Sequence, residues 1–274
     1  MSVVVISTEG GSSFRRIFVS LGLAGLGLVA VIVPLGNTIA RAPAGALNVA
    51  PHSLSPNASY LFGTDARGRD VLSETVHALA VTFSTALIAA VVVVLVGAMA
   101  GFAAARAPLR LGVLLRTITG VMGAIPIVVL AVVIVSIAGH GFAAIAVGLA
   151  AAPGAFNRSF DRAAQLAQSR HAVYARATGI PAPTLLRRDL VYEVRGNVTN
   201  VAGRALASTI TILATLSFFG FGAMPSHRDL GLMIADARPE YLNIWWSALF
   251  PALVLGLLIV FARLAAGLEE GEPP

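Results

Sequence analysis

The apolar residues of this chain neither alternate like a half-buried strand nor recur as the narrow stripe of a water-facing helix. They are gathered into long runs separated by polar stretches. A helix needs about 20 mostly apolar residues to cross a bilayer core. Six runs approach that length, at roughly 17–35, 79–104, 114–138, 142–156, 205–222 and 244–265. The fourth is short, and its alanines, glycines and Pro153 suit a helix packed closely among others, because small residues let backbones approach. The pattern therefore predicts an all-α membrane protein with six transmembrane helices. Residues 1–36 form the N-terminus and first helix, 37–77 a polar segment, 78–266 a five-helix core and 267–274 an acidic tail. Within the core, 157–197 reads as a second polar segment.

Composition agrees with the bilayer as solvent. The 274 residues are 57% hydrophobic and 12% charged, with mean hydropathy +0.85, whereas a soluble domain carries about 25% charged residues. Basic residues then orient the chain, since positive charge is retained on the cytoplasmic side. With the N-terminus inside, the outer segments hold only Arg41, Arg67, Arg69, Arg228 and Arg238. Arg204 and Arg263 sit at the interfaces, and the other twelve arginines fall on the cytoplasmic side. Both termini are therefore expected in the cytoplasm. Arg15-Arg16 ahead of an apolar run, with Ala40-Arg41-Ala42 behind it, also resembles a cleavable signal. The run is longer than the usual core of ~7–15 residues, which favours a retained first span.

All 19 basic residues are arginine, so no P-loop can exist, because that motif needs a lysine on the nucleotide phosphates. Any nucleotide that drives this protein is bound by another subunit. The absence of cysteine removes disulfides, thiolate metal sites and cysteine nucleophiles. The net charge of +6 does not point to nucleic acid, since the arginines sit between apolar runs and no basic face with interleaved aromatics appears. Nor does any Ser/His/Asp set or carboxylate pair stand in a catalytic motif.

The outer segment contains Gly63-Thr64-Asp65-Ala66-Arg67-Gly68-Arg69-Asp70-Val71-Leu72-Ser73. Glycine, threonine and aspartate are turn and capping chemistry, which places a tight loop just before the second span. Turn chemistry accounts for these residue types but not for their order. In the inner segment, Ser169 can cap a short helix over 170–177. Gly179 can end it, and Pro181 and Pro183 can stop its continuation. In the fifth run, Ser208, Thr211 and Thr215 share one helical face. That stripe could line a path for a hydrated solute. Equally, each hydroxyl could bond back to the preceding turn or join neighbouring helices. Arg204 lies near the inner end of its span and is expected to snorkel to the interface.

The order Gly-Thr-Asp-x-x-Gly-Arg-Asp-x-x-Ser resembles the signature before the second span of one permease, the C-type, of the dipeptide, oligopeptide and nickel ABC importers. Leu216-Ser217-Phe218-Phe219-Gly220-Phe221-Gly222 and Trp245-Trp246-Ser247-Ala248-Leu249-Phe250-Pro251 are similar to later stretches of that family, in the same order. The resemblance implies the type I ABC importer permease architecture. The motif residues carried over are Gly63, Thr64, Asp65, Gly68, Arg69 and Asp70. Ala175-Arg176-Ala177-Thr178-Gly179 is similar to the Ala-Arg-Ala-x-Gly core of the permease loop that docks in a cleft of the ATPase. The resemblance thus implies coupling roles for Arg170, Ala175, Arg176, Ala177 and Gly179. The chain departs from the family where Val173 replaces the usual glutamate, Tyr174 an alanine, Asp189 a frequent histidine and Tyr192 a later proline.

What the resemblance implies is a non-enzymatic, multi-pass subunit of the bacterial inner membrane that binds no cofactor. ATP and Mg belong to two partner ATPase subunits. A second, homologous permease completes a heterodimer, and an extracytoplasmic binding protein delivers the peptide for alternating-access import. Nickel or a metal chelate is the alternative cargo. His52, His77, His140 and His227 fall on the outer side without ligand spacing, and scattered surface histidines are the simpler reading. An ion-driven secondary transporter would place carboxylates at the bilayer midplane. None of the 13 acidic residues falls well inside a predicted span.

Overall fold

The computed structural model describes residues 9–168, 178, 182–222 and 228–267. Among these the secondary structure is helical, and the one β pairing is an isolated bridge between Thr64 and Asp70. The elements are α1 (Glu9–Ile32), α2 (Gly36–Ile39), α3 (Val71–Ala104), α4 (Leu109–Gly123), α5 (Ile127–Ala138), α6 (Ala143–Gln168), α7 (Ala182–Phe218), α8 (Leu230–Asp236) and α9 (Trp246–Ala265).

Three stretches are long and apolar enough to cross a membrane: α3, the 200–218 part of α7, and α9. The third predicted span, 114–138, is two helices. α4 and α5 meet at a 91° bend, and together they count as a fourth span if the bent pair crosses as one. The break falls at Pro126, which lacks an amide proton and pushes the residue before it out of helical conformation. The first and fourth runs are shorter than a full crossing by length and composition alone. The apolar part of α1, Arg16–Ile32, rises about 25 Å, and that of α6 about 21 Å, against a core of ~30 Å.

The segment 157–197, expected as a polar connection, is largely helical. α6 continues to Gln168 and α7 begins at Ala182, with Pro183 tolerated in its first turn. Polar residues do not end a helix by themselves, and here neither Asn157 nor Arg158 supplies a stop. The short helix expected over 170–177, and with it Arg170, Ala175, Arg176, Ala177 and Gly179, lies outside the described residues. α7 stops at Phe218, short of the predicted 222, where Gly220 takes φ +86°.

Helix packing is set by small residues, as expected where lipid offers no hydrophobic drive between helices. α3 crosses α6 at Gly97 and Gly101. A Cβ on Gly97 would sit 2.7 Å from the Ala152 carbonyl oxygen, and one on Gly101 only 2.2 Å from that of Phe156. Gly148 of α6 is pressed in the same way against Val92. α3 widens to a π-helical stretch over Val93–Met99 along this crossing. α1 lies on α9, with Gly22 and Gly25 against Phe261 to Ala265. The main core joins α3, α6 and α7 around Ala86, Ala89, Val147, Ile210 and Leu216. α7 is the most enclosed span, with 61% of its most apolar stretch buried, against 33% for α3 and 22% for α9.

Candidate functional site

The Gly63–Asp70 motif folds as a closed turn clamped onto two helix ends. Asp65 accepts the Gly68 amide at its carbonyl, and its Oδ1 accepts the amides of Arg67 at 2.8 Å and Arg69 at 2.9 Å. Its Oδ2 holds Arg69 Nε at 2.5 Å. One aspartate thereby organises the turn and neutralises a buried arginine. Asp70 then caps α3, accepting the amides of Leu72 and Ser73, each at 3.3 Å. Ser73 Oγ donates to Asp70 and accepts the Arg41 amide at 2.9 Å, tying in the start of the segment.

Order in the motif follows from what surrounds each position. Gly63 (φ +72°) leaves no room for a Cβ, which would meet the Leu54 carbonyl oxygen at 2.6 Å and Trp246 Nε1 at 2.7 Å. Gly68 (φ +68°) is closed in by the Ala50 carbonyl and the His52 ring. Both positions require positive φ and a bare Cα. Thr64 is fully buried. Its Oγ1 donates to Pro51 O at 2.6 Å and accepts the Leu54 amide at 2.8 Å, while its carbonyl accepts Trp246 Nε1–H at 3.0 Å. Phe62 stacks on Phe250 at 4.2 Å between centroids. The motif and the Trp245–Pro251 stretch, distant in sequence, are therefore one construction joining the start of α3 to the start of α9.

A charged network lies beside it. Arg228 bonds Asp236 of α8 at 2.6 Å and lies 3.9 Å from Glu74 of α3, whose Oε1 accepts the Gly45 amide at 2.6 Å. Asp65, Arg67, Arg69, Glu74, Arg228 and Asp236 help line a small cleft of roughly 110 Å³. α8 is seated directly on α7: a Cβ on Gly231 would approach the Ala214 carbonyl oxygen to 2.4 Å. Its cap, Asp229, accepts the Ser217 hydroxyl and the Leu232 amide, and the Leu230 amide donates to Thr82 Oγ1 of α3 at 3.0 Å. Sequence reasoning did not single out Glu74, Asp229, Arg228 or Trp246 as members of this assembly. Only the tryptophan carried a signal, through its place in a recognisable stretch.

Ser208, Thr211 and Thr215 fall on the one open face of α7. Thr211 is exposed and the other two are half-buried, whereas Ala207, Thr209, Ile210, Leu213 and Leu216 on the remaining faces are buried. Each hydroxyl donates within its own helix, Ser208 to Ala205 O at 2.9 Å, Thr211 to Ala207 O at 2.9 Å and Thr215 to Thr211 O at 2.8 Å. Thr209, off this face, instead reaches another helix, bonded to Ala86 O at 3.1 Å. The stripe extends from Arg204 to Phe218, and the guanidinium of Arg238 lies over the Phe218 ring at 4.7 Å.

Among the described residues the histidines do not converge. His52 bonds Asn48, His77 bonds the Ala42 carbonyl, His140 bonds the Gly222 carbonyl, and His227 lies outside the described residues. No group of three His, Asp or Glu side chains suited to a metal occurs among the described residues.

Helices long and apolar enough to cross a bilayer, glycine-mediated packing and an otherwise buried span with one hydroxyl-bearing face mark a membrane-embedded helical protein. The sequence profile of the binding-protein-dependent transport system inner membrane component family matches residues 94–268, and the chain belongs to that family. It is 30% identical to the di/tripeptide transport system permease protein DppC of Pseudomonas aeruginosa over 79% of this chain and 73% of that protein. It is 28% identical to a putative peptide transport system permease protein of Brucella suis, over 93% of this chain and 85% of the relative. It is 25% identical to the glutathione transport system permease protein GsiD of Pectobacterium atrosepticum, over 80% and 74%.

Proposed function

We propose that this chain imports di- or oligopeptides, working as one half of a permease heterodimer with a homologous second subunit. Two ATPase subunits drive it from the cytoplasm, and an extracytoplasmic binding protein loads it. What carries the reading is the similarity, over most of the chain, to permeases named for di/tripeptide, peptide and glutathione transport. The open face of α7 supports it, because a hydrated, zwitterionic solute needs a polar lane through an apolar protein. Six crossings with both termini cytoplasmic accommodate α1, the bent α4–α5 pair and α6 as first, third and fourth spans. That topology places the Gly63–Asp70 clamp and α8 on the outer side and residues 169–181 on the cytoplasmic side.

In this mechanism ATP closes the partner ATPases, and the segment bearing Arg170, Ala175, Arg176, Ala177 and Gly179 transmits the motion. The helices then rearrange between outward-open and inward-open states. The outer clamp moves as a rigid cap, since the ends of α3 and α9 are bonded through Thr64. Nucleotide-driven uptake of a labelled dipeptide by the reconstituted complex, with its binding protein, is the test. Arg176→Glu should abolish uptake while the complex still assembles and hydrolyses ATP. Wild-type uptake by that variant would remove the coupling role, and absence of any peptide uptake by the native complex would remove the substrate.

A further inference from the structure

We infer that Arg238 binds the free α-carboxylate of the peptide as it enters along the open face of α7. The inference rests on the peptide-importer reading above and adds a binding residue to it.

The argument begins with helical register. Arg204, Ser208, Thr211, Thr215 and Phe218 follow one another at four-, three-, four- and three-residue steps, so they form a straight stripe about 21 Å long. No acidic residue occurs between Asn200 and Phe218. Because each stripe hydroxyl spends its proton on a carbonyl of its own helix, what it offers a passing solute is acceptor lone pairs. The stripe therefore suits the N–H groups and ammonium of a peptide. It has no donor for the carboxylate except the arginines at its two ends.

Arg238 supplies that donor at the end nearest the clamp. It belongs to the 3-10 turn Arg238–Glu240 and is exposed, yet its guanidinium is fixed twice. Nε donates to Ala235 O at 3.1 Å, and the guanidinium carbon lies over the ring of Phe218, the last residue of the stripe. Such a hold leaves the two Nη groups as a preset fork for a carboxylate. Two other arginines of this region differ: Arg69 is bonded to Asp65, and Arg228 to Asp236. Among the described residues no carboxylate lies within ion-pairing distance of Arg238. Its neighbours Asp236, Ala237, Pro239 and Glu240 line the charged cleft, while Arg238 itself turns to Phe218.

The test is peptide uptake by the reconstituted complex, with binding protein at saturation, for the native chain, Arg238→Gln and Arg238→Lys. The glutamine variant keeps a planar group to pack on Phe218 but lacks charge. Loss of a hydrogen-bonded charge should lower uptake of a free-acid dipeptide roughly tenfold or more, and lysine, which keeps the charge but not the fork, should restore part of it. A C-terminally amidated dipeptide should be carried equally by the native and glutamine forms. Equal uptake of the free acid by native and glutamine forms would overturn the proposal. So would equal impairment by lysine and glutamine, which would mark a packing role, or equal loss for acid and amide, which would place Arg238 against the binding protein. Should the native complex not carry the amide, the lysine and glutamine contrast alone decides. Failure of the native complex to carry any peptide would instead sink the importer reading on which the inference rests.

Discussion

Replacing Thr64 by valine removes one hydroxyl and leaves the shape of the side chain intact, so it isolates what that hydroxyl does in the outer clamp. Thr64 has no solvent exposure, and its Oγ1 makes two bonds, at 2.6 Å to Pro51 O and 2.8 Å from the Leu54 amide. A methyl group in that place strands both backbone groups. Leu54 is half-buried, so its amide keeps a substantial share of the unsatisfied-donor cost, whereas exposed Pro51 can return to water. Together the loss is about 2–3 kcal/mol of local stability, which corresponds to a fall of roughly 30- to 150-fold in the closed-to-open ratio. Amide hydrogen exchange at Leu54, read by mass spectrometry on the purified complex, reports that opening directly. Thr64→Ser keeps the hydroxyl and should hold protection within a fewfold of native. If valine left exchange at Leu54 unchanged, the hydroxyl would not be closing this turn, and the account of why threonine follows Gly63 would fail.

Two further substitutions probe the packing. Gly101→Ala puts a Cβ 2.2 Å from the Phe156 carbonyl oxygen, where backbone on both sides limits relief, and should lower stability by about 1–3 kcal/mol despite the better helix propensity of alanine. Gly256→Ala meets nothing within 4 Å and should be neutral or gain up to about 1 kcal/mol. Thermal midpoints of the detergent-purified complex compare them, and equal effects would refute the close α3–α6 crossing. Trp246→Phe removes the 3.0 Å bond to Thr64 O and should cost about 1 kcal/mol while speeding proteolysis within residues 37–77. Unchanged cleavage would show that the start of α9 does not hold that segment.

The bilayer as solvent, the all-helical class and the shared face of Ser208, Thr211 and Thr215 were all legible in the sequence. Each depends on composition or on spacing within one helix, and a helix's register is local. Where helices begin and end was less legible. The run at 114–138 looks continuous in hydropathy because isoleucine and valine flank Pro126, and only backbone geometry reveals the 91° bend. Likewise 157–197 reads as a loop from its charges, although helix hydrogen bonds continue to Gln168 and resume at Ala182.

The candidate site divides along the same line. The turn at 63–70 could be foreseen because glycine at positive φ and aspartate as an amide acceptor act within a few residues. Its attachment to Trp246 and Phe250, the bridging of Glu74 and Asp236 by Arg228, and the resting of Arg238 on Phe218 could not. Those contacts join side chains that no periodicity relates. They exist because glycine and alanine packing, such as Gly231 on Ala214 and Ala86 in the core beside Ile210, brings α3, α7, α8 and α9 to within a few ångströms of one another. Sequence alone determined that this chain is a membrane-embedded helical protein with an orderly polar stripe. The folded packing decided which helix ends are locked together and which arginine stands at the stripe's end.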